Sequence, residues 1–257
     1  MARPHVVQAH LVERMLFHFR VSPEALVKRL PVPSLWPQVV NGSAIVSLCF
    51  LRLDSVMLSL LPARFGLAMQ ACAYRCGVID LLVDRPEPGV YIWRRYADNP
   101  LCTALASWVF ASSMTPIRAV LANDGENSRL QIQYPDGRPL FCATMQPADE
   151  IHSDVFHSLE DSQRFLTQGI TSYTPSLSQG KLARIDLEGQ STRYEALNAS
   201  VEYSELDQLW PDVELTFDSA VRVVEGQYRW IYQGCVKEKA YYCQKYAVAS
   251  RKTFVPV

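Results

Sequence analysis

Arginines embedded in apolar, strand-like runs are the residues of this chain best suited to chemistry. Arg75 is flanked by Tyr74 and Cys76, and Arg94 and Arg95 are adjacent within a β-prone stretch. A guanidinium turned into a cavity grips a carboxylate through two parallel N–H bonds, so the chemistry on offer is recognition of an acid. The competing reading for Arg75 is a solvent-facing charge, since arginines avoid interiors. Side chains alternate across a strand, so Arg94 and Arg95 take opposite faces and one of them must point inward or onto an interface, which of the two being undecided by the sequence. Gln70 offers an amide donor to the same cavity, or is a surface strand residue. Tyr96, at a strand end, offers a hydroxyl that could carry a proton. The ordinary alternative is a core tyrosine with its tip in water.

Other chemistries find little purchase. The histidines, at 5, 10, 18, 152 and 157, form no compact ligand spacing, and Cys72 and Cys76 share a strand face without obvious further donors. No metal is therefore expected. There is no Gly-x-Ser-x-Gly elbow. Glycine is scarce, with 11 residues, and no phosphate-cradling loop is formed, so no cofactor is expected.

The bulk properties are those of an ordinary globular protein. With 257 residues and 49% hydrophobic content the chain can bury a large core, and one domain over 1–257 is expected. A net charge of -1 and 20% charged residues argue against nucleic acid as a partner. Residues 1–120 carry 12 Lys+Arg against 7 Asp+Glu and the remainder 13 against 19, which would either draw a small anion to the first half or pair the halves across their surfaces. The cysteines, at 49, 72, 76, 102, 142, 235 and 243, are odd in number and mostly lie in apolar runs. They read as reduced, buried thiols of a cytoplasmic protein. The start Met1-Ala2-Arg3-Pro4-His5 shows no apolar leader, and no run reaches the ~18 apolar residues of a membrane span, so no membrane association is expected.

The elements that must position these side chains are mostly strands. Short runs rich in Val, Ile, Tyr and Phe, punctuated by turns, predict antiparallel sheet rather than βαβ units. Alternation from Met15 to Val21 predicts a half-buried strand, and Ser22-Pro23-Glu24 opens a short helix over 23–30. Asn41-Gly42 predicts a hairpin turn. Strands are expected over 43–53, 69–83, 90–97, 117–122, 128–134 and 139–147, with turns at 84–89 and 135–138. Asn99-Pro100 opens a helix to about residue 112, and Ser158-Leu159-Glu160-Asp161 opens another that ends at Gly169. A polar loop over 172–180 then leads into a final set of strands.

The order of these motifs is similar to that of the acetoacetate-decarboxylase-like superfamily. Phe17-His18-Phe19-Arg20-Val21-Ser22-Pro23-Glu24-Ala25-Leu26 resembles its first strand and helix, Tyr96-Ala97-Asp98-Asn99 its central motif, and Cys142-Ala143-Thr144-Met145 a later strand. Within the superfamily the chain most resembles the domain of unknown function 2071 family. The likeness rests on Asp98-Asn99-Pro100-Leu101, Pro116-Ile117-Arg118-Ala119, Phe165-Leu166-Thr167 and Tyr173-Thr174, and spans roughly residues 10 to 210.

The resemblance implies a mainly β fold, a cone-like antiparallel β barrel with a few peripheral helices and a ligand cavity inside. In the decarboxylases a lysine directly after the proline equivalent to Pro116 forms a Schiff base. This chain has Ile117 and Arg118 there, and no lysine between Lys28 and Lys181. An isoleucine forms no imine and an arginine is too basic to be a neutral nucleophile, so Schiff-base decarboxylation is not expected. The superfamily's carboxylate-binding arginine falls near Val12, with Arg14 two residues on and on the same strand face. The acidic residue it carries early in the strand around Met69–Val78 is missing. Arg118, next to the motif proline, would hold a carboxylate if it faces inward, or a surface charge if it faces out. Asp98 is a candidate proton carrier, although capping before Pro100 already accounts for Asn99 beside it.

Three functions follow in order of preference. The first is a binding module whose cavity holds a small organic acid, with Arg118, Arg75, Arg14 and Gln70 as its contacts. The second is an acid–base enzyme, a lyase or hydrolase on a keto or carboxylic acid, with Tyr96, Asp98 or a histidine moving the proton. The third is a structural or homo-oligomerisation role using aromatic strands such as Tyr228-Arg229-Trp230-Ile231-Tyr232.

Overall fold

A computed structural model describes residues 5–81, 85–190 and 193–237. Cys243 and the turn residue Asp84 lie outside the described residues.

The chain opens with β1 (Val6–Val21), a longer strand than the alternation from Met15 implies. Ser22 caps α1 (Pro23–Val27) by accepting a bond from the Ala25 N–H. Two short strands, β2 (Leu35–Pro37) and β3 (Val39–Val40), precede the Asn41-Gly42 turn. Both turn residues take positive φ, 47° and 83°, the geometry that this dipeptide favours in a two-residue hairpin loop. β4 (Ser43–Leu58) and β5 (Leu67–Asp80) follow, with one 3-10 turn at Ala63–Phe65 between them, then β6 (Glu87–Ala97).

α2 (Pro100–Phe110) begins where Asn99-Pro100 predicts. The Asn99 side chain accepts from the N–H groups of Leu101 at 3.0 Å and Cys102 at 3.2 Å, and donates to Ala68 O at 3.0 Å. Replacing Asn99 by alanine is expected to cost about 1 kcal/mol, the usual worth of such a cap, read as a shift of the denaturation midpoint.

The remaining elements are β7 (Thr115–Pro116), β8 (Arg118–Asp124), β9 (Asn127–Gln133), β10 (Pro139–Ala148), α3 (Leu159–Gln168), β11 (Thr171–Pro175), β12 (Lys181–Gln190), β13 (Arg193–Ser204), α4 (Glu205–Leu209) and β14 (Thr216–Lys237). None of the described helices is long and apolar enough to cross a membrane.

The β-rich class expected from the sequence is the one the structure has. All described strands join one sheet, in which β1, β4, β5, β6, β11, β12 and β14 form a ring that closes because β14 also pairs with β1. A branch, β13-β10-β9-β8, leaves the ring at β14. The 22-residue β14 makes this possible. One edge pairs with β1, from Val6↔Ile231 to Arg20↔Thr216, while the other pairs first with β13 and then with β12.

Two details correct the sequence reading. The ring is not wholly antiparallel, because β11 joins β6 in parallel, and Thr171–Pro175, expected partly as loop, is that strand. The aromatic run at Tyr228–Tyr232 is also no outward face, since Tyr228 and Trp230 turn into the ring.

Two apolar clusters follow the period-2 alternation. Met15, Phe17, Phe19, Leu48, Phe50, Tyr74 and Val78 pack with Leu130, Ile132 and Phe141 of the branch. Leu11, Leu16, Cys49, Leu53, Val221 and Val223, on the opposite strand faces, pack with Leu166 of α3 inside the ring.

Candidate functional site

Every strand of the ring contributes to the wall of one cavity of about 250 Å³. Most of the wall is apolar. Leu105, Ala106, Val109 and Phe110 of α2 cover one end, and Leu61, Phe65, Leu105 and Ile170 leave an exposed apolar rim around the opening.

Three guanidiniums interrupt this wall: Arg14 from β1, Arg75 from β5 and Arg95 from β6. None of the three forms an ion pair with a carboxylate among the described residues. Arg14 is buried, and its Nε donates to Cys49 Sγ at 3.3 Å. Burial pulls its pKa down, but Cys49, Tyr228 and Tyr194 outweigh this and raise it. Arg75 is lowered to about 10 by burial and then by the like charge of Arg14, and Arg95 to about 10 by burial alone. All three therefore remain cations at neutral pH.

Strand register builds a polar row beside Arg75. Ser219, His18, Ser47, Arg75 and Ile92 stand opposite one another on β14, β1, β4, β5 and β6. His18 is fully buried, its Nδ1 hydrogen-bonded with Ser47 Oγ at 2.8 Å and its Nε2 without a partner among the described residues. Burial, then Arg75 and Arg14, push its pKa down to about 3, so the imidazole is neutral. Gly77 keeps this end tight, because a Cβ there would come within 2.7 Å of the Phe165 ring of α3.

The structure brings Arg14 and Arg75 together on the cavity wall and leaves other candidates elsewhere. Arg118 is exposed on β8 in the outer branch: Ile117 is buried in the first cluster, and alternation turns its neighbour to solvent. The inward position considered for Arg118 is corrected accordingly, and Ile117 does not line the cavity either.

Gln70 and Asp98 hold each other. The Gln70 N–H donates to Asp98 Oδ1 at 2.8 Å, and Gln70 Nε2 reaches Asp98 Oδ2 and Ala119 O, both at 3.3 Å. This latch joins β5 to the start of α2. Tyr96 borders the cavity, but its ring packs against Tyr74 and Tyr134 in the first cluster and its hydroxyl donates to Glu205 Oε2 at 3.4 Å on the other face of the sheet. Burial raises its pKa, which disfavours proton release. Arg94 shares that face and meets Glu205 at 3.5 Å, so Arg95 is the member of the pair that lines the cavity. The sequence required one of the two to face inward or onto an interface without saying which.

The thiols are more varied than expected. Cys49, Cys72 and Cys76 are buried, Cys102 and Cys142 half-buried and Cys235 exposed, and none of these is in a disulfide. No group of three or more His, Cys, Asp or Glu gathers among the described residues.

The fold is that of acetoacetate-decarboxylase-like proteins. An acetoacetate decarboxylase from Legionella pneumophila subsp. pneumophila str. Philadelphia 1 is 12% identical, with a TM-score of 0.61 over 89% of this chain and 87% of that one. The enduracididine biosynthesis enzyme MppR, complexed with pyruvate, is 13% identical, with a TM-score of 0.59 over 94% and 93% of the two chains. An acetoacetate decarboxylase-like enzyme from Sphingomonas wittichii RW1 is 14% identical, with a TM-score of 0.59 over 91% and 93%. Residues 8–209 match the DUF2071 family, described as an uncharacterized conserved protein, and the chain belongs to that family. Among curated proteins none matches the sequence.

Proposed function

We propose that this protein binds a small organic acid inside the strand ring, its carboxylate held by Arg14 and Arg75 and its apolar part against the aliphatic wall. The observation that carries this reading is a pair of guanidiniums on the wall of an apolar cavity with no carboxylate partner among the described residues. The charge of Arg14 adds to burial in lowering the pKa of Arg75, and a bound anion would offset that repulsion. At roughly 30 Å³ per water molecule, the cavity holds the equivalent of about eight waters, which suits a small acid rather than a long lipid. The pyruvate in the MppR structure is an acid of this class.

The reaction, if one occurs, does not pass through an imine in this reading. Among the described residues no lysine lines the cavity, and the residue after Pro116 is Ile117. Tyr96 and Asp98, the proton carriers considered from the sequence, are engaged by Glu205 and Gln70. We therefore place binding ahead of catalysis.

The test compares short keto, aliphatic and aromatic acids with their primary amides by thermal shift. An acid present at 100 times its Kd is expected to stabilise the protein by about 2.7 kcal/mol, and the matching amide to do nothing. Equal responses to acid and amide, or no response to any acid, would refute the reading.

A further inference from the structure

β6 and β11 pair only from Gly89↔Thr171 to Tyr91↔Tyr173. Beyond that point they diverge, and the loop after α2 enters the gap. A second hollow of about 230 Å³ lies there, lined by Arg95 and Trp93 of β6, Ser112 and Ser113 of the loop, Thr115 of β7 and Thr174 of β11, among others. Its character is opposite to that of the apolar cavity, since hydroxyl and N–H groups make up most of its wall. Ser112 Oγ and Thr174 Oγ1 lie 3.4 Å apart, tying the loop to β11.

The donors here are in excess. Arg95 Nη1 and Trp93 Nε1 are both buried with no hydrogen-bond partner among the described residues. Buried polar groups of this kind ordinarily find one, and each exception asks for an explanation. Charge is unbalanced in the same direction. Arg94, which also borders the hollow, is answered by Glu205 at 3.5 Å, whereas Arg95 forms no ion pair among the described residues and lies against the Phe110 ring, 5.0 Å from its guanidinium carbon. Water would satisfy the donors but would leave the positive charge uncompensated. A group with several acceptor oxygens and a negative charge answers both.

We propose that the hollow between β6 and β11 is a binding site for a small oxyanion, a carboxylate or phosphate group, with Arg95 supplying the charge and Trp93, Ser112 and Thr174 supplying neutral donors. Arg95 also lines the apolar cavity, so the two spaces meet at this side chain. The oxyanion is either a free ion or the second anionic end of the molecule whose first acid group meets Arg14 and Arg75. Only the latter source rests on the acid-binding reading above.

Calorimetric titration of the full chain distinguishes these sources. Inorganic phosphate, titrated against chloride at matched ionic strength, reports the free ion. A linear dicarboxylate compared with the monocarboxylate of equal length reports the second end. Each titration is repeated on Arg95→Met and on the double variant Ser112→Ala/Thr174→Val, with circular dichroism to check folding. Removing an unpaired buried cation should not prevent folding, and the double variant carries the test should Arg95→Met fail.

Saturable phosphate binding that weakens at least tenfold in Arg95→Met and several-fold in the double variant establishes a free-ion site. A dicarboxylate at least tenfold tighter than the monocarboxylate, with the advantage lost in the same variants, establishes a two-headed ligand. Absence of both signals overturns the proposal. So does any signal that survives these variants or is abolished only by Arg75→Met, which would place the anion at the other end of the cavity. Monocarboxylate binding that depends on Arg75 is the separate readout of the acid-binding reading.

Discussion

Replacing Arg75 by methionine is expected to weaken acid binding by about 10- to 100-fold while making the ligand-free protein more stable. A hydrogen bond to a charged partner contributes about 1.5–3 kcal/mol, and each 1.4 kcal/mol is tenfold in affinity. The stability change runs the other way. A buried ion without a counter-charge carries an effective desolvation penalty of several kcal/mol, and in the folded chain Arg75 also faces Arg14. Methionine keeps much of the side-chain length and suits the apolar wall. Because Arg75 is only half-buried, its exposed part on the cavity wall, the gain should be a fraction of the penalty, about 1–3 kcal/mol. Isothermal titration and denaturant melts measure the two effects in one preparation. A variant that melts lower than the parent would assign Arg75 a structural role and remove the basis for the acid-binding reading.

Acidification is expected to destabilise the protein through His18 before its exposed carboxylates titrate. The folded-state pKa of His18 is lowered to about 3, by burial first and by Arg75 and Arg14 after it, against ~6.5 in an unfolded chain. Above pH ~6.5 neither state binds the proton and the full stability is present. Below it the unfolded chain takes up a proton that the folded chain refuses, so stability falls by about 1.4 kcal/mol per pH unit toward the folded value. Between pH ~6.5 and ~4 the loss attributable to this group is about 3 kcal/mol. His18→Asn places a polar atom where Nδ1 meets Ser47 and removes the protonation site. Its loss over the same range should be smaller by that amount, and identical pH profiles for the two proteins would show that other groups drive the transition.

Local signals along the chain translated well. Ser22-Pro23, Asn99-Pro100 and Ser158 each cap the helix they announce, and Asn41-Gly42 makes its hairpin. Such features depend on neighbouring residues, so the sequence carries them directly. Thr171–Pro175 was hidden because its Ser and Thr content reads as loop, although parallel pairing with β6 makes it the strand that completes the ring.

The site was legible only in part, for a related reason. Arg75 stands out because a charge inside an apolar run is conspicuous. Whether Arg94 or Arg95 faces the cavity depends on the register shift between Tyr74 and Arg75 against β6, which no local pattern discloses. Arg118 misled because the motif proline suggested an inward strand, whereas burial of Ile117 sets the alternation. The His18–Ser47–Arg75 row is a product of pairing among three strands and has no counterpart in the linear chain.

The double-sided pairing of β14 bears on how the protein is made. During synthesis this strand leaves the ribosome after every other described strand. Until it arrives β1 has β4 on one edge and nothing on the other, and β12 and the β13 branch have no common neighbour. The cavity therefore cannot close before β14 is in place, and a ligand held inside it could not assist folding earlier. Nascent chains stalled before Thr216 should expose the unpaired edge of β1, a template for pairing with other chains. Contacts between segments some 200 residues apart also place maturation among slow, topology-limited processes. For this fold, the interval between emergence of β1 and capture by β14 is the period of greatest exposure to aggregation and to chaperones.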